Sequence, residues 1–160
     1  MGLPEIFISF QTAAVSAITR SARGVLAVAV KDATAGGAAE AAYKSLAEVP
    51  EDKFSPENYR LLKLAFLAAP TKVWVLRVRE DAEKTYQALE RLRFDWLAAP
   101  GLEDAKVMSF IKTLRNGGRG VKAVVANATA PDCEGIVNLC VSGLTLEDGT
   151  MEAKDYAVRV

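Results

Sequence analysis

The distribution of apolar positions divides the chain into an outlying strand and a body of alternating strands and helices. Residues 5–12 place Ile6, Ile8 and Phe10 on one face and Glu5, Phe7, Ser9 and Gln11 on the other, the two-residue period of an extended strand. Small residues follow at 13–18. A turn-rich junction through Arg20, Ser21, Arg23 and Gly24 then separates this stretch from the rest. The expected organisation is an N-terminal arm, residues 1–23, hinged at 20–24 to an α/β body, residues 24–160.

Six consecutive apolar residues, 25–30, end at Lys31 and Asp32, as in a strand covered on both faces. Residues 38–49 carry conflicting signals: the alanines favour helix, and Ala39, Ala42, Tyr43 and Leu46 form a helical stripe. Ser55, Pro56 and Glu57 supply a hydroxyl N-cap, a proline at the first helical position and an acid in the first turn. Tyr59, Leu62, Phe66 and Ala69, widened by Leu61 and Ala65, mark the inward face of that helix, which should stop before Pro70. Residues 72–78 predict a second buried strand.

Asp81 can cap a helix carrying Ala82, Tyr86, Leu89 and Leu92 inward, and residues 94–98 predict a third strand closed by Pro100 and Gly101. The next helix has Glu103 and Asp104 at its positive end, Val107, Phe110, Ile111 and Leu114 inward, and Asn116, Gly117 and Gly118 at its close. Residues 121–126 predict a fourth buried strand, 135–141 a fifth, and 146–149 a turn. From Met151 a helical pattern resumes through Ala153, Tyr156, Ala157 and Val160 without a cap, which predicts that these residues are the N-terminal portion of a longer polypeptide.

Strands alternating with helices give an α/β fold with a mainly parallel sheet flanked by helices and right-handed crossovers. There are too few βα units for a closed barrel, so a doubly wound order is expected.

Composition narrows the chemistry. The 160 residues include no histidine, which excludes a Ser-His-Asp or Cys-His apparatus, an imidazole base and any His-containing zinc site. Twenty basic residues balance twenty acidic ones, so no basic field gathers nucleic acid. Cys133 and Cys140 are expected as buried thiols rather than a disulfide or metal framework. No charge-free apolar run reaches the roughly 18 residues of a membrane span, and no secretory signal opens the chain, so a cytosolic setting without membrane insertion is expected.

Ligands of open α/β sheets bind beyond the carboxyl ends of strands. The candidates there are Asp32, residues 77–80, residues 99–101 and residues 127–132. Asp32 as a metal or phosphoryl-accepting acid competes with a solvated turn residue; it lacks the partner acids such sites need. Gly36 and Gly37 fit no phosphate-binding motif, and the glycines at 117–120 read as a helix C-cap rather than an anion nest. Asp132 and Cys133 bring an acid and a thiol together, but without histidine the thiol needs another activating base. A small α/β nucleotide- or metal-binding enzyme using the strand ends near Asp32 and Asp132 is thus one reading. The arm supports another: Ile6, Phe7, Ile8 and Phe10 can form an edge strand of their own sheet, or add to the sheet of another chain. That pairing is open equally to a non-contractile arm-swapped oligomer.

Ordered segments resemble one family. GLP at 2–4, the Ile-x-Ile-x-Phe alternation at 6–10 and above all AITRSARGVLAVAVKD at 17–32 are similar to the start of contractile tail sheath proteins of phages and phage-like particles of Gram-positive bacteria. YKSLAEV at 43–49, ENYRLLKLAF at 57–66 and PTKVWV at 70–75 continue the resemblance. It implies a structural protein with a subtilisin-like sheath topology, not an enzyme, and no cofactor. It implies subunits stacked as hexameric rings around an inner tail tube, between a baseplate and a tail terminator, in a virion tail or tail-like particle assembled in the bacterial cytoplasm. Ile6, Ile8 and Phe10 would then dock on a neighbouring subunit, Arg20 to Gly24 would be the hinge, and residues 38–49 lean toward extended structure. Family members are considerably longer than this chain.

Overall fold

The apolar run after Gly24 forms strand β1 (Val25–Lys31) at the centre of a six-stranded sheet. The computed structural model describes residues 24–127, 131–146 and 149–159. Ile6, Phe7, Ile8, Phe10, Arg20, Ser21 and Arg23 lie outside the described residues, as does Val160. β1 alternates small and branched side chains, so Ala27 and Ala29 face one layer and Val28 and Val30 the other, all four fully buried. Burial on both sides explains why this strand reads as an unbroken apolar run.

Sheet order is β2-β3-β1-β4-β5-β6. β3 (Lys72–Val78) lies parallel to β1 on one side, and β4 (Trp96–Ala98) parallel to it on the other. β5 (Lys122–Val125) and β6 (Ile136–Asn138) extend the parallel array, while β2 (Glu40–Tyr43) runs antiparallel on β3. Among the described residues the path therefore begins in the middle at β1, passes to β2 and β3 on one side, and crosses back past β1 to β4. That reversal makes the sheet doubly wound.

Helix α1 (Pro56–Leu67) covers one face, packing Leu61, Leu62, Leu64 and Ala65 on Val28, Val30, Val73, Val75 and Ala98. Its Ser55 cap accepts a hydrogen bond from the Asn58 amide at 3.3 Å. Helices α2 (Ala82–Arg91) and α3 (Asp104–Asn116) cover the other face, setting Leu89, Val107, Met108, Ile111 and Leu114 on Ala27, Ala29, Leu76, Leu97 and Ala123. Each fully buried valine, leucine or isoleucine among them contributes about 1.5–3 kcal/mol relative to exposure. The Asp81 carboxylate accepts from the Glu83 amide at 3.0 Å, as a cap should. After α3, Gly118 turns at φ 84° and the Arg119 amide donates back to the Leu114 carbonyl at 3.1 Å, so these glycines terminate a helix.

One open local reading is decided and three expectations change. Residues 38–49, open between helix and strand by local signals and leaning toward extended structure by resemblance, do not form the helix of the alanine-rich stripe: they are extended at β2, where pairing with β3 decides, and a short 3₁₀ turn at Leu46–Glu48 follows, with another at Glu51–Lys53. The fifth strand is shorter than 135–141 and is an edge: Val137 is 39% exposed, since it has a sheet neighbour on one side only. Residues around the predicted turn form a hairpin, β7 (Leu144–Leu146) with β8 (Gly149–Met151), so Met151 is a strand residue, and helix α4 (Ala153–Tyr156) begins after it. Finally, Cys133 is half-buried and Cys140 exposed, because both lie in the sparsely covered stretch around β6.

Candidate functional site

Of the residues singled out for the arm and hinge, Gly24 alone is described. It has φ 64°, and its carbonyl accepts from the Thr71 amide at 3.0 Å. Asp95 Oδ2 accepts from the next amide, Val25, at 2.6 Å, and a Cβ on Gly24 would fall 2.8 Å from that oxygen. Left-handed backbone and close approach together require glycine where the chain joins β1.

The crevice beyond β1 and β3 is where an open sheet would take a ligand. Here two of the candidate residues meet. Asp32 follows β1 and Arg77 lies within β3, both on the α1 side of the sheet, and their side chains are 0% and 2% exposed. Asp32 Oδ1 stands 3.7 Å from the Arg77 guanidinium and accepts from the Thr34 amide at 2.8 Å. Its other oxygen accepts from the Ser55 amide at 3.1 Å and from Asn58 Nδ2 at 2.9 Å. Burial pushes this carboxyl up, but the hydrogen bonds from Thr34, Asn58 and Ser55 outweigh it and hold it at about 2.

The expectation of a solvated turn residue at Asp32 is thus overturned. The carboxylate is buried, and donors of its own chain occupy both oxygens. Arg77 is equally committed. It donates to the Lys53 carbonyl at 2.6 Å and the Thr34 carbonyl at 3.4 Å, and its guanidinium lies 4.1 Å from the centre of the Phe54 ring. This network ties the end of β1, the 33–37 turn and the start of α1 to β3. Sequence reading placed Arg77 at a strand end without this role; the signal was a lone charge inside the buried run VWVLRV.

Beside it, on the α2 side, lies an open cleft of about 1210 Å³ lined by Ala35, Ala39, Leu76, Val78, Thr85 and Ala88, with charged residues of both signs on its rim. Asp132, in the β5–β6 connection, is exposed. Cys133 Sγ is 3.9 Å from the adjacent Glu134 carbonyl oxygen, which cannot serve as its base. Among the described residues no cluster of cysteines and acids could hold a metal ion, and no helix is long and apolar enough to cross a membrane.

No family model matches the chain. A curated tail sheath protein of Clostridium phage phiCD119 is 31% identical over 176 residues, covering 99% of this chain and 47% of the relative. The chain therefore spans about half the length of the curated relative it matches. Among solved structures, the sheath tail protein of Listeria innocua matches with a TM-score of 0.70 at 16% identity, over 87% of this chain and 55% of that one. The sheath tail protein of Desulfitobacterium hafniense matches with the same score at 13% identity, over 97% and 60%. These two likenesses bear on fold: the mostly parallel six-stranded sheet with its flanking helices matches these neighbours. Through sequence similarity along nearly its whole length, and through that shared fold, the chain is a homologue of phage tail sheath proteins.

Proposed function

We propose that the chain supplies the body of a contractile tail sheath subunit, which polymerises as stacked hexameric rings around an inner tail tube and contracts to drive that tube through a cell envelope. The supporting observation is the 31% identity with a tail sheath protein across 99% of the chain. In this reading residues 24–160 form the body, Ile6, Phe7, Ile8 and Phe10 add a strand to a neighbouring subunit, and Arg20, Ser21, Arg23 and Gly24 form the hinge. Two lattices of one rigid unit, differing in the surface each contact buries, supply the bistability that contraction needs. Asp32 and Arg77, the charged pair at the strand ends, are engaged by groups of their own chain, which suits a structural role for them in a building block. Its partners are other sheath subunits, the tube, the baseplate and the tail terminator, in a virion tail or tail-like particle assembled in the bacterial cytoplasm. Cofactor, nucleic acid and membrane insertion have no part in it.

Electron microscopy of the full-length sheath subunit tests this. Tubes or stacked rings are expected; monodisperse monomers under every assembly condition would overturn it. Deleting residues 2–19 should abolish assembly while leaving the thermal transition of the body in place, which separates failure of the arm from failure of folding.

A further inference from the structure

Both edges of the sheet are built alike. On the β2 side, Gly37 sits directly over the Arg77 guanidinium, so close that a Cβ there would overlap it. Two residues on, the Ala39 carbonyl accepts from the Arg77 amide at 2.9 Å, the bond that opens the β2–β3 ladder. On the β6 side, Gly135 turns at φ 83° against Arg115 of α3, where a Cβ would fall 2.5 Å from Arg115 Cδ. The Gly135 carbonyl accepts from the Ala123 amide at 2.9 Å, which opens the β5–β6 ladder. Arg115 Nη1 in turn donates to the Val121 carbonyl at 3.0 Å, and Nη2 pairs with Glu134.

We propose that Arg77 and Arg115 are positioning residues for the two edge strands, each guanidinium setting the path by which a glycine leads the chain into its edge. The two are in different elements, on opposite sides of the sheet, yet the fork of Arg77 holds the Thr34 and Lys53 carbonyls, that of Arg115 holds the Val121 carbonyl and the Glu134 carboxylate, and each leaves no room for a side chain at the adjoining glycine. Planar forks suit this task, because several N–H groups in fixed geometry can hold several carbonyls at once. The consequence concerns association: an edge strand presents the backbone groups to which another strand can pair, and its register and rigidity decide what can add to it. The inference goes beyond the sheath reading and stands whether or not the chain assembles.

Hydrogen exchange read by mass spectrometry on the 160-residue chain tests it. Arg115→Ala should accelerate exchange at 134–138 about tenfold or more, leaving β2 and β1 unchanged. Arg77→Ala should do the same at 34–43 and leave β6 unchanged. Arg115→Lys, which keeps a donor able to reach Val121, should recover part of the protection, whereas Arg115→Met should not. If Arg77→Ala does not fold, Gly37→Ala, whose methyl displaces the guanidinium from the other side, should give the same local signature. In Arg115→Ala, acceleration shared equally by β1 and β4, or none at 134–138, would overturn the proposal, as would the absence of acceleration at 34–43 in both Arg77→Ala and Gly37→Ala.

Discussion

Arg77 approaches Asp32 to 3.7 Å with both side chains withdrawn from solvent, joining β1 to β3 at the carboxyl end of the sheet. A buried pair of this kind is weak as a source of net stability but costly to break, since removing one partner strands the other charge. Asp32→Ala also leaves the Ser55 and Thr34 amides without the carboxylate they donate to, and Asn58 Nδ2 with only the Lys31 carbonyl of its two acceptors. It should destabilise the fold by about 3–5 kcal/mol in urea denaturation. The double variant Asp32→Ala/Arg77→Met should lose clearly less than the sum of its single substitutions; strict additivity would show that the two side chains are uncoupled.

The same carboxyl predicts an acid limb. Its folded value, about 2, lies below its ordinary 3.8, so the unfolded chain takes up the proton first as pH falls. The contribution is fully present above pH 4 and disappears as pH drops through 2, an effect of about 2 kcal/mol. Chemical denaturation between pH 5 and pH 2 should show this loss in the parent protein and a flatter profile in Asp32→Asn.

Much of this architecture is legible because buried parallel strands must be continuously apolar, and the capped helices between them carry apolar faces. Ser55, Asp81 and the glycines at 117–118 therefore mark their boundaries correctly. Edges are less legible. β2 looks helical in isolation because only its ladder with β3 makes it extended, and β6 looks buried because Ile136 and Val137 say nothing about having one neighbour or two. Asp32 misleads for a similar reason. An acid after a strand is ordinarily solvated, and it is withdrawn here because groups distant in sequence converge on it: the Ser55 amide, the Asn58 side chain twenty-six residues away, and the Arg77 guanidinium.

Helix α1 ends in a strained residue. Ala69 has φ 53° just beyond the helix, the one non-glycine in the left-handed region among the described residues. A Cβ there costs about 1–2 kcal/mol, partly offset when glycine replaces it by the freer unfolded chain. Ala69→Gly should stabilise the fold by about 0.5–1 kcal/mol; a loss of that size would mean that the alanine methyl packs usefully.

The Tyr86 hydroxyl is buried without a hydrogen-bond partner among the described residues, while its ring packs on Phe110 at 5.1 Å. Burial first, then Glu103, Glu83 and Asp104, push its ionisation up to about 12. The folded protein thus holds this proton more tightly than the unfolded chain, and the associated stability is lost as pH rises from 10 toward 12. Tyr86→Phe should keep the ring contact and remove the unsatisfied hydroxyl, leaving stability equal or about 1 kcal/mol higher. In an ultraviolet titration it should also remove the ionisation near pH 12.

Gly101 shows how closely the 99–102 turn approaches the sheet. Its amide donates to the Ala29 carbonyl at 2.9 Å, and a Cβ would lie 2.6 Å from the Lys31 nitrogen and 2.8 Å from the Val30 carbonyl carbon. These are backbone atoms of the central strand, which cannot yield as the tip of a side chain can. Gly101→Ala should therefore destabilise by about 2–3 kcal/mol through overpacking alone. Gly120, with nothing within 4 Å of the same hypothetical atom, is the internal control, and Gly120→Ala should be nearly neutral. Equal effects at the two positions would show that helix and turn entropy, not contact with β1, govern the response; a large loss confined to Gly101 would tie it to the β1 backbone.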